Sequence, residues 1–339
     1  INLLNSLGFN PFNSSNKISS CKISSLFKKA KEDKDIYLIS VDMGAPSLDQ
    51  WREELPDQFL AAGISEQNAI NFAAGLSSAG KKVYVYFMAS WVARCFEQIR
   101  YSCAMAENPI TILGNGVALG YSPAGPAHNP TEDMCYMRSI CGIEIYSPSN
   151  NSMVESLVDL TVEELKLRYI RLERNQAEEM SDAYRIGGMS TSFLKVGASI
   201  VKPGLSEPRH PSDPKICIMS SGYMLGRTCE AWEKLISSGY QASVYDVWRI
   251  KPINEKMLKE MVKEYDYIVT VEEQTISGAF GSAIIEALSD SGTKKDILRI
   301  GLPERYIFEN GSRDYHIDNN GLSAADIYSK ITNFVKEKE

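Results

Sequence analysis

Residues 61–80, AAGISEQNAINFAAGLSSAG, read as a helix entered past Gly63, built from small and apolar residues, and stopped at Gly80. Its only acid, Glu66, stands at the helix start. Ala69, Ile70 and Ala73 follow at helical spacing, so the carboxylate shares a face with apolar side chains. Two readings are open on these residues alone. An acid is favoured in a first turn because it meets the positive end of the helix dipole, and Ser65 is placed to cap the same end. Alternatively, Glu66 closes one side of a ligand site, where a carboxylate held among apolar neighbours can share a proton with a ring nitrogen. The surrounding chain has to decide.

On either side of this helix the pattern alternates. Strands DIYLISV (35–41), KKVYVYF (81–87), PITILGN (109–115), IEIYS (143–147) and RYIRLE (168–173) are separated by helices near 19–32, from Glu66, over MASWVARCFEQIRYSCAMA (88–106), near Met134 and near 152–166. The stretch 176–214 breaks the rhythm with Pro203, Gly204, Pro208, Pro211 and Pro214 and reads as a linker. A second alternating unit follows. Its strands are KICIMSS (215–221), ASVYDVW (242–248), YIVTVEE (267–273) and ILRIGLP (297–303), with helices near 223–237, 254–264, 279–289 and 323–337. The expectation is an α/β protein of two domains, 19–175 and 215–339, each a mostly parallel sheet with helices on both faces. Residues 1–18, rich in Asn and Ser, read as a lead-in. The chain opens on Ile1 rather than Met, which leaves open whether residues upstream of it have been removed.

Composition removes several classes. With 339 residues, 44% hydrophobic and 23% charged, the chain has the make-up of a globular protein, and a net charge of −7 argues against nucleic acid as the main partner. No apolar run is long enough to span a bilayer and no secretory signal is visible, so a cytoplasmic location is expected. Seven cysteines without a CxxC pair suit a reducing compartment, and three dispersed histidines offer no metal cluster.

Three segments carry chemistry: GISEQN at 63–68, GYSPAGPAHNPTEDMCYMR at 120–138 and VEEQTISGAFGSA at 271–283. In the second, Glu132 and Arg138 stand four and ten residues after His128. Together the three resemble the transketolase family of thiamin diphosphate enzymes. WVARCFEQ (91–98) and GLPERYIF (301–308) are similar to segments of 1-deoxy-D-xylulose-5-phosphate synthase within that family. The resemblance covers roughly residues 20–338 and implies a thiamin diphosphate-binding pyrimidine domain followed by a transketolase C-terminal domain.

What the resemblance implies for the site can be stated residue by residue. Glu66 matches the glutamate that hydrogen-bonds N1′ of the cofactor's aminopyrimidine; protonation there favours the 4′-imino form, which removes the C2 proton. The cofactor is the electron sink while the protein supplies position and electrostatics. Trp91 matches the aromatic residue beside the pyrimidine, where a flat ring gives stacking area. Phe87 and Phe96 complete that wall. His128 matches a histidine that touches the substrate's reacting oxygens, and is assigned both a catalytic and a substrate-binding role. Arg94 and Arg174 match arginines near anionic substrate groups, as suits a planar fork of donors. Glu132 and Arg138 are expected to brace the loop, and the segment Val271–Gly281 to be structural. Each has a plainer alternative: a core tryptophan, core phenylalanines, a loop histidine, surface ion pairs.

The family's diphosphate anchor, a Gly-Asp-Gly segment with a downstream Asn that also binds Mg²⁺, has no match here; Gly-Asn-Gly at 114–116 lacks the acid and stands in the wrong domain. The chain therefore resembles the second half of a split transketolase. The implied partner is a separate N-terminal, diphosphate-binding subunit carrying the Mg²⁺ ligands, in a heterotetramer built on a dimer of this chain. Three departures bear on substrate. Asn68 replaces a histidine usual in the synthases, Ala124 stands where both relatives have an aspartate that contacts a sugar hydroxyl, and the histidine that transketolases place near residue 116 is absent. The reading is ketol transfer from a ketose to an aldehyde, with a modified or nucleotide-linked sugar as acceptor. A decarboxylating carboligase using pyruvate and a non-catalytic assembly subunit are the alternatives. The beta chain of a 2-oxo acid dehydrogenase does not suit residues 125–138.

Overall fold

The structure, a computed structural model, describes residues 18–174, 190–204 and 213–338. The apolar runs become strands β1 Ile36–Ser40, β2 Phe59–Ala61, β3 Lys82–Met88, β4 Ile110–Asn115, β5 Glu144–Tyr146 and β6 Arg168–Leu172, then β7 Ala198–Lys202, β8 Lys215–Ser220, β9 Gln241–Val247, β10 Arg249–Lys251, β11 Tyr267–Thr275 and β12 Asp296–Leu302. Two sheets result, with strand orders β10-β5-β6-β4-β3-β1-β2 and β12-β11-β8-β9-β7. Strands β1 to β6 all pair in parallel. Every residue of the central strands β4 and β6 is buried, as expected of a parallel sheet covered on both faces. At the edge of the second sheet only the first residue of β7 is buried. The two-domain α/β expectation is met, and among the described residues no helix is long and apolar enough to cross a membrane.

Several local expectations are corrected. Of the 1–18 lead-in, only Ile18 lies within the described residues, where it opens the helix Ile18–Glu32. The stretch read as a linker at 176–214 holds, in its described part, a helix Thr191–Val196 capped by Ser190 and then β7, which pairs antiparallel with β9. The short strand β10, from the second unit, joins the first sheet antiparallel to β5. The continuous helix expected over 88–106 is three segments: 3₁₀ at Ala89–Cys95, α at Phe96–Gln98 and π at Ile99–Met105. Burial explains the change. Ala89, Val92 and Cys95 are buried at a period of three, whereas Cys95, Ile99 and Cys103 are buried at a period of four. A tight 3₁₀ turn followed by a wider one keeps both sets against the core.

The two units share a core. One apolar cluster runs from Ile39, Ile70, Val85 and Phe87 of the first to Met219, Ile268, Phe280 and Ile284 of the second. The run Val271–Glu273 is structural in two ways. Glu272, at β11, accepts hydrogen bonds from the amides of Phe280 (2.8 Å) and Gly281 (2.9 Å), which open the helix Phe280–Asp290. Glu273 pairs with Arg313.

Burial pushes the Glu272 carboxyl up to about 7, against the two amide bonds that favour its charged form. For a carboxyl raised on folding, its contribution to stability is complete below the ordinary carboxylate range and is lost as pH rises through about 7. Glu272→Gln keeps an acceptor for the amides and removes the titration. The wild-type unfolding midpoint, measured relative to Glu272→Gln, is expected to fall as pH is raised from 4.5 through about 7. A difference that stays constant over that range would remove the assignment.

Candidate functional site

The helix Glu66–Ser78 starts just after β2, at the C-terminal edge of the first sheet. Glu66 is 5% exposed, and Ala69, Ile70 and Ala73 beneath it are fully buried. Ser65 does not cap the helix; its hydroxyl donates to the carbonyl of Ala62 at 2.6 Å. The carboxylate instead faces Arg94, whose Nη1 lies 3.6 Å from Glu66 Oε2. Residues three apart eclipse in a 3₁₀ turn, and Arg94 accordingly lies over the ring of Trp91, 4.4 Å from its centroid. On its other side Trp91 meets His128 edge-to-face, with centroids 5.4 Å apart. Glu66, Arg94, Trp91 and His128, contributed after three different strands, thus form one continuous chain of contacts.

The remaining candidates fall elsewhere. Phe87 is fully buried in the core and backs the site; Phe96 is half-buried against the same cluster. Cys95, beside Glu66, is pushed up to about 12 by burial and then by the Glu66 charge, so it is a wall and not a nucleophile. Arg174 lies over the ring of Tyr121, 4.4 Å from its centroid. Tyr121 in turn accepts from Asn115 Nδ2 at 2.8 Å and, through its carbonyl, from the amide of exposed Ala124 at 2.8 Å. Gly116, at φ 72°, must be glycine for a second reason: a Cβ there would fall 1.9 Å from the Tyr121 ring.

The loop carrying Ala124 and His128 is held from below. Asp133, fully buried, accepts from Arg171 Nε (2.8 Å), Arg171 Nη2 (3.1 Å) and the Tyr169 hydroxyl (2.7 Å). Arg171 also donates to Ser147 Oγ at 3.0 Å. Glu132 is exposed and its carboxylate accepts from its neighbour Thr131, so the brace expected of its side chain belongs to Asp133 one residue on. Arg138 does act as a brace: it donates to the carbonyls of Gly278 and Ala279 and pairs with Glu286, all in the second unit. Sequence reading missed Asp133, Arg171 and Tyr121. The available signal was the pair of arginines inside RYIRL, since a charge within a buried strand demands an acid partner.

Buried side-chain polar atoms without a hydrogen-bond partner concentrate here. Among the described residues there are fourteen, and Ser90, Gln98, Asn115, His128 (Nδ1) and Asn129 supply five from the two segments that form the site. A polar ligand at this edge has donors and acceptors to meet. No group of three or more His, Cys, Asp or Glu among the described residues could hold a metal ion.

Comparison with known proteins follows the same division of the chain. Residues 24–179 match the transketolase pyrimidine binding domain and residues 207–327 the transketolase C-terminal domain. The chain is 29% identical over 316 residues to an apulose-4-phosphate transketolase subunit of Phocaeicola vulgatus, covering 91% of this chain and 96% of that one. It is 27% identical over 312 residues to 1-deoxy-D-xylulose-5-phosphate synthase of Aquifex aeolicus, covering 92% of this chain but 47% of the synthase, so it spans about half the synthase's length. Among solved structures, a split gene transketolase described as an inactive beta4 tetramer superposes with a TM-score of 0.80 at 24% identity, covering 96% and 99% of the two chains. A Pichia stipitis transketolase superposes at 0.72 and 17% identity, over 94% of this chain and 46% of that one. At these identities the two structures speak to fold.

Breaking the Asp133 anchor leaves Arg171 buried without its counter-charge. Asp133→Ala is expected to destabilise the protein by about 3–5 kcal/mol, with Asp133→Asn losing less because it keeps an acceptor. Thermal or denaturant unfolding of the two variants checks this; a loss below about 1 kcal/mol for the alanine would return Asp133 to an ordinary surface-type pair.

Proposed function

The chain belongs to the transketolase family, and from that premise we propose that it is the pyrimidine-side subunit of a two-chain, thiamin diphosphate-dependent transketolase, moving a two-carbon ketol unit from a ketose to an aldehyde. The observation that carries the proposal is the chain of contacts from buried Glu66 through Arg94 and Trp91 to His128. These residues fit an aminopyrimidine: a buried carboxylate, an aromatic face and a histidine nitrogen without a partner. When bound, thiamin diphosphate supplies the carbon nucleophile and the electron sink. Glu66 holds a proton at N1′ of the ring. Arg94, half-exposed beside Glu66, would present its guanidinium to an anionic group of the substrate. Trp91 stacks, and His128 orients the reacting oxygens and moves protons there through its unpaired nitrogen. Arg174, on Tyr121, holds a second anionic substrate group.

The cofactor's diphosphate and Mg²⁺ need ligands from elsewhere, and we assign them to a separate diphosphate-binding subunit. A dimer of this chain flanked by two such partners makes a heterotetramer. The similarity that extends over nearly the full length of both chains is to one subunit of a transketolase, whereas 1-deoxy-D-xylulose-5-phosphate synthase is matched along slightly less than half of its length. That balance favours a subunit of a split enzyme, and the likeness to a transketolase subunit supports ketol transfer as its reaction.

Glu66→Gln keeps the shape of the side chain but cannot share a proton. In the complex with its partner, hydrogen–deuterium exchange at cofactor C2 is expected to slow by at least about 10²-fold, the scale of one proton-transfer group. Exchange at the wild-type rate would leave Glu66 as a helix-start acid.

Ala124 bears on the acceptor. An aspartate there could accept from a sugar hydroxyl, a charged hydrogen bond that contributes about 1.5–3 kcal/mol. An apolar site cannot demand that hydroxyl. The acceptor therefore lacks it or carries a bulky group in its place, as a modified or nucleotide-linked sugar does. Competition between 2-deoxyribose 5-phosphate and ribose 5-phosphate is expected to favour the former in wild type, and to shift toward the latter by about tenfold or more in Ala124→Asp. A wild type that strongly prefers ribose 5-phosphate defeats the idea, as does a variant whose preference does not move.

A further inference from the structure

The loop that leaves β4 doubles back on itself at Gly116. Gly116 and Ala118 both take positive φ, 72° and 49°, and the amide of Gly120 donates to the carbonyl of Val117 at 2.9 Å. A positive φ costs energy for alanine, so the turn is held by its surroundings rather than by its own preference. It lays the Tyr121 ring over Gly116, in the place that a side chain at 116 would fill: a Cβ there would come within 1.9 Å of Cε2 and 2.1 Å of Cδ2. The hydroxyl end of the ring is fixed as well. Asn115, 4% exposed, donates from Nδ2 to that hydroxyl at 2.8 Å, and its Oδ1 is one of the buried atoms without a partner. Burial pushes the Tyr121 hydroxyl up, against Arg174 and Asn115, so the ring is a neutral phenol.

The ring fixed in this way carries a cation. The amide of Gly116 donates to the carbonyl of Leu172 at 2.8 Å, which brings the turn beside the end of β6, just before Arg174. The Arg174 guanidinium lies over the Tyr121 ring, 4.4 Å from its centroid. At that distance the negative face of the ring attracts the cation. An aromatic face, unlike a carboxylate partner, does not use up the donors at the edge of the guanidinium plane, and those are the donors that a phosphate or carboxylate takes. We propose that Tyr121 is a positioning residue: the face of its ring sets the place of the Arg174 guanidinium, so that Arg174 meets a phosphate or carboxylate group of the substrate. Gly116 belongs to the same device, because only a glycine leaves the ring its place. The inference rests on the assignment of Arg174 to the substrate site.

The test uses inorganic phosphate as probe and calorimetry on the full chain. Arg174→Ala defines the phosphate binding that depends on Arg174. Tyr121→Leu, which keeps an apolar side chain but has no π face, is expected to weaken that binding by about tenfold, and Tyr121→Phe to keep it within about threefold. Phenylalanines carrying one, two and three ring fluorines, introduced at position 121, have nearly one shape but progressively less negative faces. Phosphate affinity is expected to fall in that order, and the unfolding midpoint not to follow it. A purely structural ring predicts equal affinity through the series, which decides the matter even where Tyr121→Leu does not fold. In the Tyr121→Leu background Arg174→Ala is expected to cost less than in wild type, since the two side chains act together. Wild-type affinity in Tyr121→Leu, or a flat fluorinated series, overturns the role of Tyr121. Phosphate binding indifferent to Arg174→Ala overturns it together with the Arg174 subsite. Exchange at cofactor C2 in the assembled complex reports separately on the proposed function, so the two can fail independently.

Discussion

The parallel pairing of β1 to β6 is the constraint on which the candidate site depends. Parallel strands end on one edge, and each connection after a strand begins there. Glu66 follows β2, Trp91 and Arg94 follow β3, Ala124 and His128 follow β4, and Arg174 follows β6. More than a hundred residues separate the first from the last in sequence, yet the sheet delivers all of them to the same edge. The strands themselves need only be apolar, and they are: β4 and β6 have no exposed residue. The chemistry is left to the connections.

Connections long enough to carry such residues are weakly ordered by themselves, and here they are fastened by buried polar anchors. Asp133 ties the 116–138 loop to Arg171 and Tyr169 within the first sheet. The amide of Thr275 donates to Thr131 at 3.0 Å, and Arg138 reaches the carbonyl of Gly278, so the second unit grips the same loop. Strand β10 extends the first sheet and the apolar core crosses the junction. The second unit is therefore part of what shapes the first. Burying these ions costs desolvation energy that their pairing offsets only with good geometry, and each of them has several partners. Such groups specify a loop conformation more than they add to stability.

The sequence made the central strands and long helices legible because their apolar runs and amphipathic spacing do not depend on distant residues. It hid elements that only tertiary contact creates. Strand β2 has three residues, β10 has three, and β7 runs directly into a stretch of proline that mimics a linker. The 89–105 segment has helical composition, but its buried positions change period from three to four, which a uniform helix cannot follow. In the site, Glu66 and His128 stood out through a family spacing, while Asp133 and Tyr121 did not, because an anchor is defined by its partner. Arg171 is 38 residues from Asp133, and Arg313 is 140 from Glu173. A pair at that separation leaves in sequence only one trace, a charge where a buried strand should have none.

Polar accounting separates the anchors from the groups that remain for a ligand. Asp133, Arg171, Glu173, Glu273 and Arg313 are all buried, and all are bonded. At the strand edge the balance is different: Ser90, Gln98, Asn115, His128 and Asn129 each keep a buried atom without a partner. Leaving a buried polar atom unpaired costs about 1–3 kcal/mol, so these five call for ordered water or a ligand to meet them. The anchors make this arrangement possible, because a rigid loop cannot rearrange to satisfy its own polar atoms. The cost of pre-forming such a site is met within the fold, and a ligand that meets those atoms recovers it on binding.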